Sequence, residues 1–233
     1  MMSFDIKKHK KDLIFIPLGG AGEIGMNVNL YQYQGKWLIA DLGAGFADDY
    51  YPGIDLIVAE INYISKQREN VLGIVLTHAH EDHLGAVQYL WRELRCPIYA
   101  TKFTANFLRA KLKETAFANE IKIIEIEEKK IFEIGPFSIE TVPITHSTPE
   151  MQALMIRTEV GNVFHTGDWK FDPDPLVGLK TDFDSLKKIG DEGVLALIGD
   201  STNVFNDTHS GSEGDLRKSL VELVKACKKL AVV

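Results

Sequence analysis

The chain has 233 residues, 45% of them hydrophobic and 25% charged, and a formal net charge of −7, which suits one large soluble globular domain, or a domain and part of another, and excludes coating of nucleic acid by bulk electrostatics, leaving room only for a local basic groove. Two cysteines, Cys96 and Cys227, without C-x-x-C spacing exclude a disulfide scaffold, are read as packing residues and suit a reducing cytosol. The opening "MMSFDIKKHKKDL" has no apolar signal-peptide core, and no apolar run approaches the length of a membrane span.

In chain order, "LIFIPL" (Leu13 to Leu18) reads as a strand that ends at Gly19-Gly20. "NVNLYQYQ" and "KWLIADLG" flank Gly35 and predict a hairpin. In "DLIVAEINYISKQ", Leu56, Ile57, Ile61 and Ile64 have a helical spacing. "VLGIVLT" (Val71 to Thr77) has the composition of a buried strand. Leu84, Val87, Leu90, Trp91 and Leu94 then mark the inner stripe of an amphipathic helix, and "TKFTANFLRAKLKETA" predicts a second. Strands are expected at "IKIIEI", "KIFEI", "FSIETVPI", "QALMIRT", "NVFHTGD" and "VLALIGD". "SEGDLRKSLVELVKACKK" predicts a helix capped by Ser212. No repeat or low-complexity tract interrupts the pattern. Strands with helices between them predict two sheets covered by helices, an α/β sandwich.

Gly20, Gly22 and Gly25 spell G-x-G-x-x-G after a strand, with Asp41 further on, which is the form of a dinucleotide fingerprint. That fingerprint needs a helix after the glycines to hold the pyrophosphate. "MNVNLYQYQGKWLIAD" supplies two strand-like runs instead, so the glycines are expected to let a tight loop pass close to other backbone, near a metal site, and to bind no nucleotide cofactor.

"LTHAHEDHLGA" places His78, His80, Asp82 and His83 between a strand and a helix. In extended backbone His78 and His80 point the same way, while Asp82 and His83 begin the helix and point elsewhere. One short segment can thus serve two adjacent cations with two ligands each, and further ligands must come from other strand ends. "VPITHSTPE" offers His146 and "NVFHTGDWKFD" offers Asp168, whose two carboxylate oxygens can bridge. His165, three residues before Asp168, should face the opposite side of its strand; with His9 and His209 it is read as a non-ligand.

"THAHEDHLGA" resembles the signature of the metallo-β-lactamase fold, an αββα sandwich. "PLGGAGEIGMN", "HSTPE", "HTGDWKFDP" and "GDSTN", in that order, resemble the ribonuclease J branch of the β-CASP nucleases, over Leu13 to Val233. The resemblance implies that His78, His80 and His146 bind one metal, that Asp82 and His83 bind the other, and that Asp168 bridges. It makes Asp82, Asp168 and Asp200 of "GDSTN" catalytic, with Asp200 an acidic group near the reaction centre. It implies hydrolysis of RNA phosphodiester bonds, internally or from a 5′ end, with two Zn2+ (Mn2+ or Mg2+ as substitutes), in the cytoplasm, with no membrane partner, by an enzyme that forms homo-oligomers.

Members of that family insert a β-CASP domain and then return to finish the first domain, where the last histidine ligand and the proton-transfer histidines lie. Residues 1–205 accordingly read as the N-terminal part of the lactamase-like domain, an αββα sandwich incomplete at its C-terminus. Residues 206–233 read as the start of a truncated β-CASP domain, with "KKLAVV" as its opening strand. The expectation is a portion with weak activity or none alone. Alternatives are a non-catalytic remnant or split subunit that needs a complementary chain, and a small-molecule hydrolase of the same fold. The last would complete its metal site within one domain using a later histidine.

Overall fold

Strands that are apolar on both faces belong inside a layered structure, and the first long strands here are of that kind. A computed structural model describes residues 6–230. β1 (Ile14–Gly19), β2 (Val28–Tyr33) and β3 (Lys36–Ala40) form an antiparallel meander. The β2–β3 turn is Gln34-Gly35, both at positive φ (52° and 73°), as a two-residue hairpin requires. A small hairpin follows, β4 (Ala44–Phe46) against β5 (Leu56–Val58), and then a single helical turn, α1 (Asn62–Ser65). β6 (Val71–Val75) returns beside β3 in parallel. It is followed by α2 (Glu81–Leu84), α3 (Val87–Leu94), β7 (Ile98–Ala100), α4 (Lys102–Leu112) and β8 (Ile123–Glu125), which complete a six-stranded sheet in the order β1-β2-β3-β6-β7-β8.

The second half builds the second sheet from β9 (Ile131–Ile134), β10 (Phe137–Pro143), β11 (Gln152–Thr158) and β12 (Gly161–His165), followed by α5 (Phe183–Glu192), β13 (Ala196–Ile198) and α6 (Glu213–Ala226). Its order is β13-β12-β11-β10-β9, antiparallel except for the β12–β13 pair.

Alternate side chains on each strand go to different layers, as strand geometry dictates. Leu30, Trp37, Ile39 and Ile74 face α3 and α4 and meet Leu90, Trp91, Leu94 and Leu108. Tyr31, Leu38 and Val75 face the other way and meet Phe137, Ile139, Leu154 and Ile156 of the second sheet. Beyond that sheet, Ala153, Met155 and Phe164 pack against Ile189 and Leu186 of α5. The layers are therefore helix, sheet, sheet, helix: the αββα sandwich. Burying a side chain such as Leu38 or Phe137 contributes about 1.5–3 kcal/mol each, and these residues are fully buried.

Three local expectations differ from the structure, and two elements, β7 and α5, were not expected. Residues 55–67 are not one helix: Leu56, Ile57 and Val58 pair with β4, and only Ile61 and Ile64 sit at buried helix-spaced positions around α1. The helix after the histidine motif is broken at Gly85-Ala86 into α2 and α3, where Ala86 N–H turns to Leu42 O instead (3.0 Å). β7 and α5 carried no clear signal, β7 because it is three residues long and α5 because Ile189 is its single fully buried side chain. In "KKLAVV", Lys228 to Leu230 is not a strand, and Ala231 to Val233 lies outside the described residues, as do residues 1–5 of the N-terminal segment read for a leader. The Ser212 cap is present, its hydroxyl accepting from Asp215 N–H (3.1 Å).

Candidate metal centre

The strand ends deliver the site. β3, β6, β10, β12 and β13 all run out at one edge of the sandwich, and the segments beyond them carry Asp41, Thr77 to His83, His146, Asp168 and Asp200. His80 is the extended residue before α2, so Asp82 and His83 fall on its first turn. α2 is held against the segment after β3: Asn27 N–H donates to Asp82 O (2.9 Å) and Leu42 N–H to His83 O (2.8 Å). Gly43 lies so close that any Cβ there would collide with Asp82 O.

Two sets of donor atoms converge. His78 Nε2 and His146 Nε2 each lie 3.1 Å from His80 Nδ1, and Asp168 Oδ2 lies 3.6 Å from His146 Nε2. In the second set, His83 Nε2 lies 3.1 Å from Asp168 Oδ1 and 3.5 Å from Asp82 Oδ2. Each set draws together within 4.8 Å. A tetrahedral cation about 2.0–2.1 Å from imidazole nitrogen sets neighbouring donors about 3.4 Å apart, and the observed spacings bracket that value. Two imidazole nitrogens 3.1 Å apart could share at most one proton, so three converging on one point suit a cation better than a hydrogen-bond network. The residues fit two adjacent ions with Asp168 between them.

Asp41 was not singled out as a site residue by the sequence, yet it organises this centre. It is fully buried; Oδ1 accepts from Thr77 N–H (2.8 Å), and Oδ2 faces Thr77 Oγ1 (2.9 Å) and His83 Nδ1 (2.7 Å). A carboxylate at Nδ1 fixes the ring and leaves Nε2 for the cation, the usual support of a ligand histidine. Burial opposes charge on His83, but Asp41, with Asp168, overcomes it and raises the imidazole to about 10. Burial and the neighbouring imidazoles lower His78 instead, and burial lowers His146. Asp168 is held below the usual carboxylate range, against the effect of burial, by His83 and the other histidines. The only sequence sign of Asp41 was its place at the end of an apolar strand, where it was read as part of the glycine fingerprint.

The centre opens into a cleft of about 720 Å³, lined on one side by Gly20 to Gly25 and on the other by Gly199 to Thr202 and Phe205. β2, not a helix, follows the glycines. Gly20 has φ 81°, and a Cβ there would collide with the carboxamide of Asn27, so the loop does pass close to its neighbours beside the donor atoms. Asp200 lies on the cleft wall outside both donor sets; its Oδ1 accepts from Thr202 N–H (2.7 Å) and its N–H donates to Thr166 Oγ1 (3.2 Å). His165 belongs to neither donor set and turns inward, with Nδ1 2.9 Å from the hydroxyl of Tyr31. His209 is exposed in the segment before α6.

The family model for the metallo-beta-lactamase superfamily matches residues 22–227. Ribonuclease J of Sinorhizobium meliloti is 44% identical over 218 residues, 92% of this chain and 39% of the relative. Ribonuclease J of Corynebacterium glutamicum is 39% identical over 93% of this chain and 30% of its own length. The chain thus spans well under half the length of these relatives. A crystal structure of a protein of unknown function from Enterococcus faecalis V583 superposes with a TM-score of 0.64 at 19% identity, covering 91% of this chain and 57% of that one, a likeness of fold. No helix among the described residues is long and apolar enough to cross a membrane.

Proposed function

Because the chain belongs to the metallo-beta-lactamase superfamily, we propose that it carries the two-cation centre of a ribonuclease J-like RNA phosphodiesterase. The observation that carries this is Asp168, one carboxylate with an oxygen in each of two donor sets. The likeness to ribonuclease J along most of the chain supports RNA as substrate and a cytoplasmic role in RNA processing. The open cleft suits a polymer better than a small molecule. By the same likeness, residues 1–205 are the lactamase-like part and residues 206–233 begin a β-CASP domain. Homo-oligomers, or a complementary chain supplying further segments, are the expected protein partners.

His78, His80 and His146 would hold the first cation, Asp82 and His83 the second, and Asp168 both. Two such ions, zinc or in its place manganese or magnesium, would supply Lewis acidity toward a phosphodiester and lower the pKa of a water towards about 7. Asp41 accepts a hydrogen bond from His83 Nδ1–H and keeps Nε2 aimed at the second position. Asp200, uncommitted to either set, is a carboxylate placed to accept or return a proton at the cleft wall. Asp82 and Asp168 act as charged ligands and hold the reacting groups in register.

The test is cleavage of a 5′-monophosphorylated RNA with zinc or manganese by this chain, by its Asp168→Asn variant, and by a protein extended to the relatives' length. Slow cleavage by this chain, faster cleavage by the extended protein and none by Asp168→Asn are expected. Equal rates for wild type and Asp168→Asn would sink the proposal. A chain that binds metal without turnover is the second reading, favoured by the three protein donors of the second set. Inactivity of this chain beside an active extended protein would establish it.

A further inference from the structure

We propose that Asn27 is a ligand of the second cation, its carboxamide oxygen supplying the fourth protein donor beside Asp82, His83 and Asp168. This rests on the two-cation reading of the centre. The terminal amide atom of Asn27 nearest the site lies 3.1 Å from His83 Nε2 and 3.5 Å from Asp82 Oδ2. Those are the spacings at which the second donor set stands among itself, 3.1 Å from His83 Nε2 to Asp168 Oδ1 and 3.5 Å from His83 Nε2 to Asp82 Oδ2. Asn27 therefore occupies a corner of the same polyhedron.

Chemistry decides which amide atom belongs there. An amide nitrogen has no lone pair for a cation, and once His83 Nε2 gives its own lone pair to the ion it cannot accept from an N–H. A carbonyl oxygen in the same place is a hard donor of the kind divalent cations accept. The two ends of a carboxamide are isosteric, and half a turn about one bond exchanges them. In the metal-free arrangement the nitrogen faces His83 and Asp82, and the oxygen occupies the space that the missing side chain of Gly20 leaves. With the carboxamide turned half round, its oxygen takes that corner and Asn27 joins the ligands. The backbone of Asn27 is held separately, N–H to Asp82 O (2.9 Å) and C=O from Gly43 N–H (2.9 Å), so a side-chain change leaves the crossing intact.

The experiment measures Zn2+ and Co2+ binding to the wild type, Asn27→Ala and Asn27→Asp by equilibrium dialysis and by the Co2+ absorption spectrum. A first equivalent, held by the histidine set, serves as the fold control in every variant. Asn27→Ala should weaken the second equivalent by at least about tenfold and change the second set of Co2+ bands. Asn27→Asp, isosteric and anionic, should bind the second equivalent more tightly than wild type. If Asn27 only donated hydrogen bonds to His83 and Asp82, the aspartate would instead repel Asp82 and weaken it. A weaker second site in Asn27→Asp or an unchanged one in Asn27→Ala overturns the inference with the two-cation reading intact, whereas no second equivalent in the wild type overturns both. No metal in the wild type overturns the reading itself.

Discussion

Asp168 and His165 stand three residues apart and differ in every respect that matters to a cation. Asp168 has an oxygen in each donor set, whereas His165 is buried with its Nδ1 against Tyr31. Asp168→Ala should therefore cost metal binding in both sets, and His165→Ala should cost stability with metal retained; elemental analysis after dialysis, beside thermal unfolding, separates the two. Equal metal loss would contradict the facing of the two side chains. His165 also predicts a pH effect. Burial lowers it from 6.5 to about 4, although Asp41 and Asp168 oppose that. The unfolded chain takes up this proton first, so stability is full above about pH 6.5 and falls as the pH drops towards about 4. Urea unfolding of metal-free protein at several pH values should show a steeper acid loss in wild type than in His165→Gln.

At the scale of elements, α5 has a single buried apolar side chain, Ile189, and is secured at both ends by polar contacts. Asp182 caps it, accepting from Ser185 N–H (3.0 Å) and pairing with Lys129 Nζ (2.7 Å). Arg157 on β11 binds Glu192 at its other end with two hydrogen bonds (2.6 and 2.7 Å) and also meets Glu140 (2.7 Å). The Lys129 bond, aided by Ser185, lowers Asp182 to about 2. Its contribution is thus full above about pH 4, where the unfolded carboxyl is ionised, and is lost as the pH falls towards about 2. Asp182→Ala should cost about 1 kcal/mol at neutral pH and nothing at the acid limit, as read by denaturant midpoints. The crossing of the β3–β4 segment over α2 is less forgiving. Gly43→Ala would drive a methyl into Asp82 O, so it should displace α2 and lower metal affinity even where the fold survives.

For the whole molecule, the first donor set is complete within the described residues and the second rests on Asp82, His83 and a share of Asp168, with Asn27 proposed beside them. One equivalent of metal should survive dialysis, with a second held more weakly. NAD or NADP should cause no saturable change in tryptophan fluorescence, because β2 stands where a pyrophosphate-binding helix would have to begin. Surface charge and exposure set the limits on activity. A net charge of −7 attracts phosphates poorly. α6 exposes Leu216, Leu223 and Val224, with its N-terminal end tied to Asp172 and Asp174. Concentration-dependent association in sedimentation is expected from such a surface.

By itself the sequence determined the layers and named most of the side chains that converge at the sheet edge. Alternating apolar strands, the hairpin at Gly35 and the histidine cluster before a helix are local patterns, and each is written within a few residues. It also determined that the glycines open a strand and not a helix. Only the tertiary structure decided what meets at the sheet edge. Asp41 and His83 lie 42 positions apart, and Asn27 and His83 lie 56 apart. No short-range pattern couples such residues; the parallel pairing of β3 with β6 and the close crossing at Gly43 do. The break at Gly85-Ala86 and the strand at Leu56 to Val58 were likewise decided by partners distant in sequence, Leu42 O and β4, which outweigh local helical spacing.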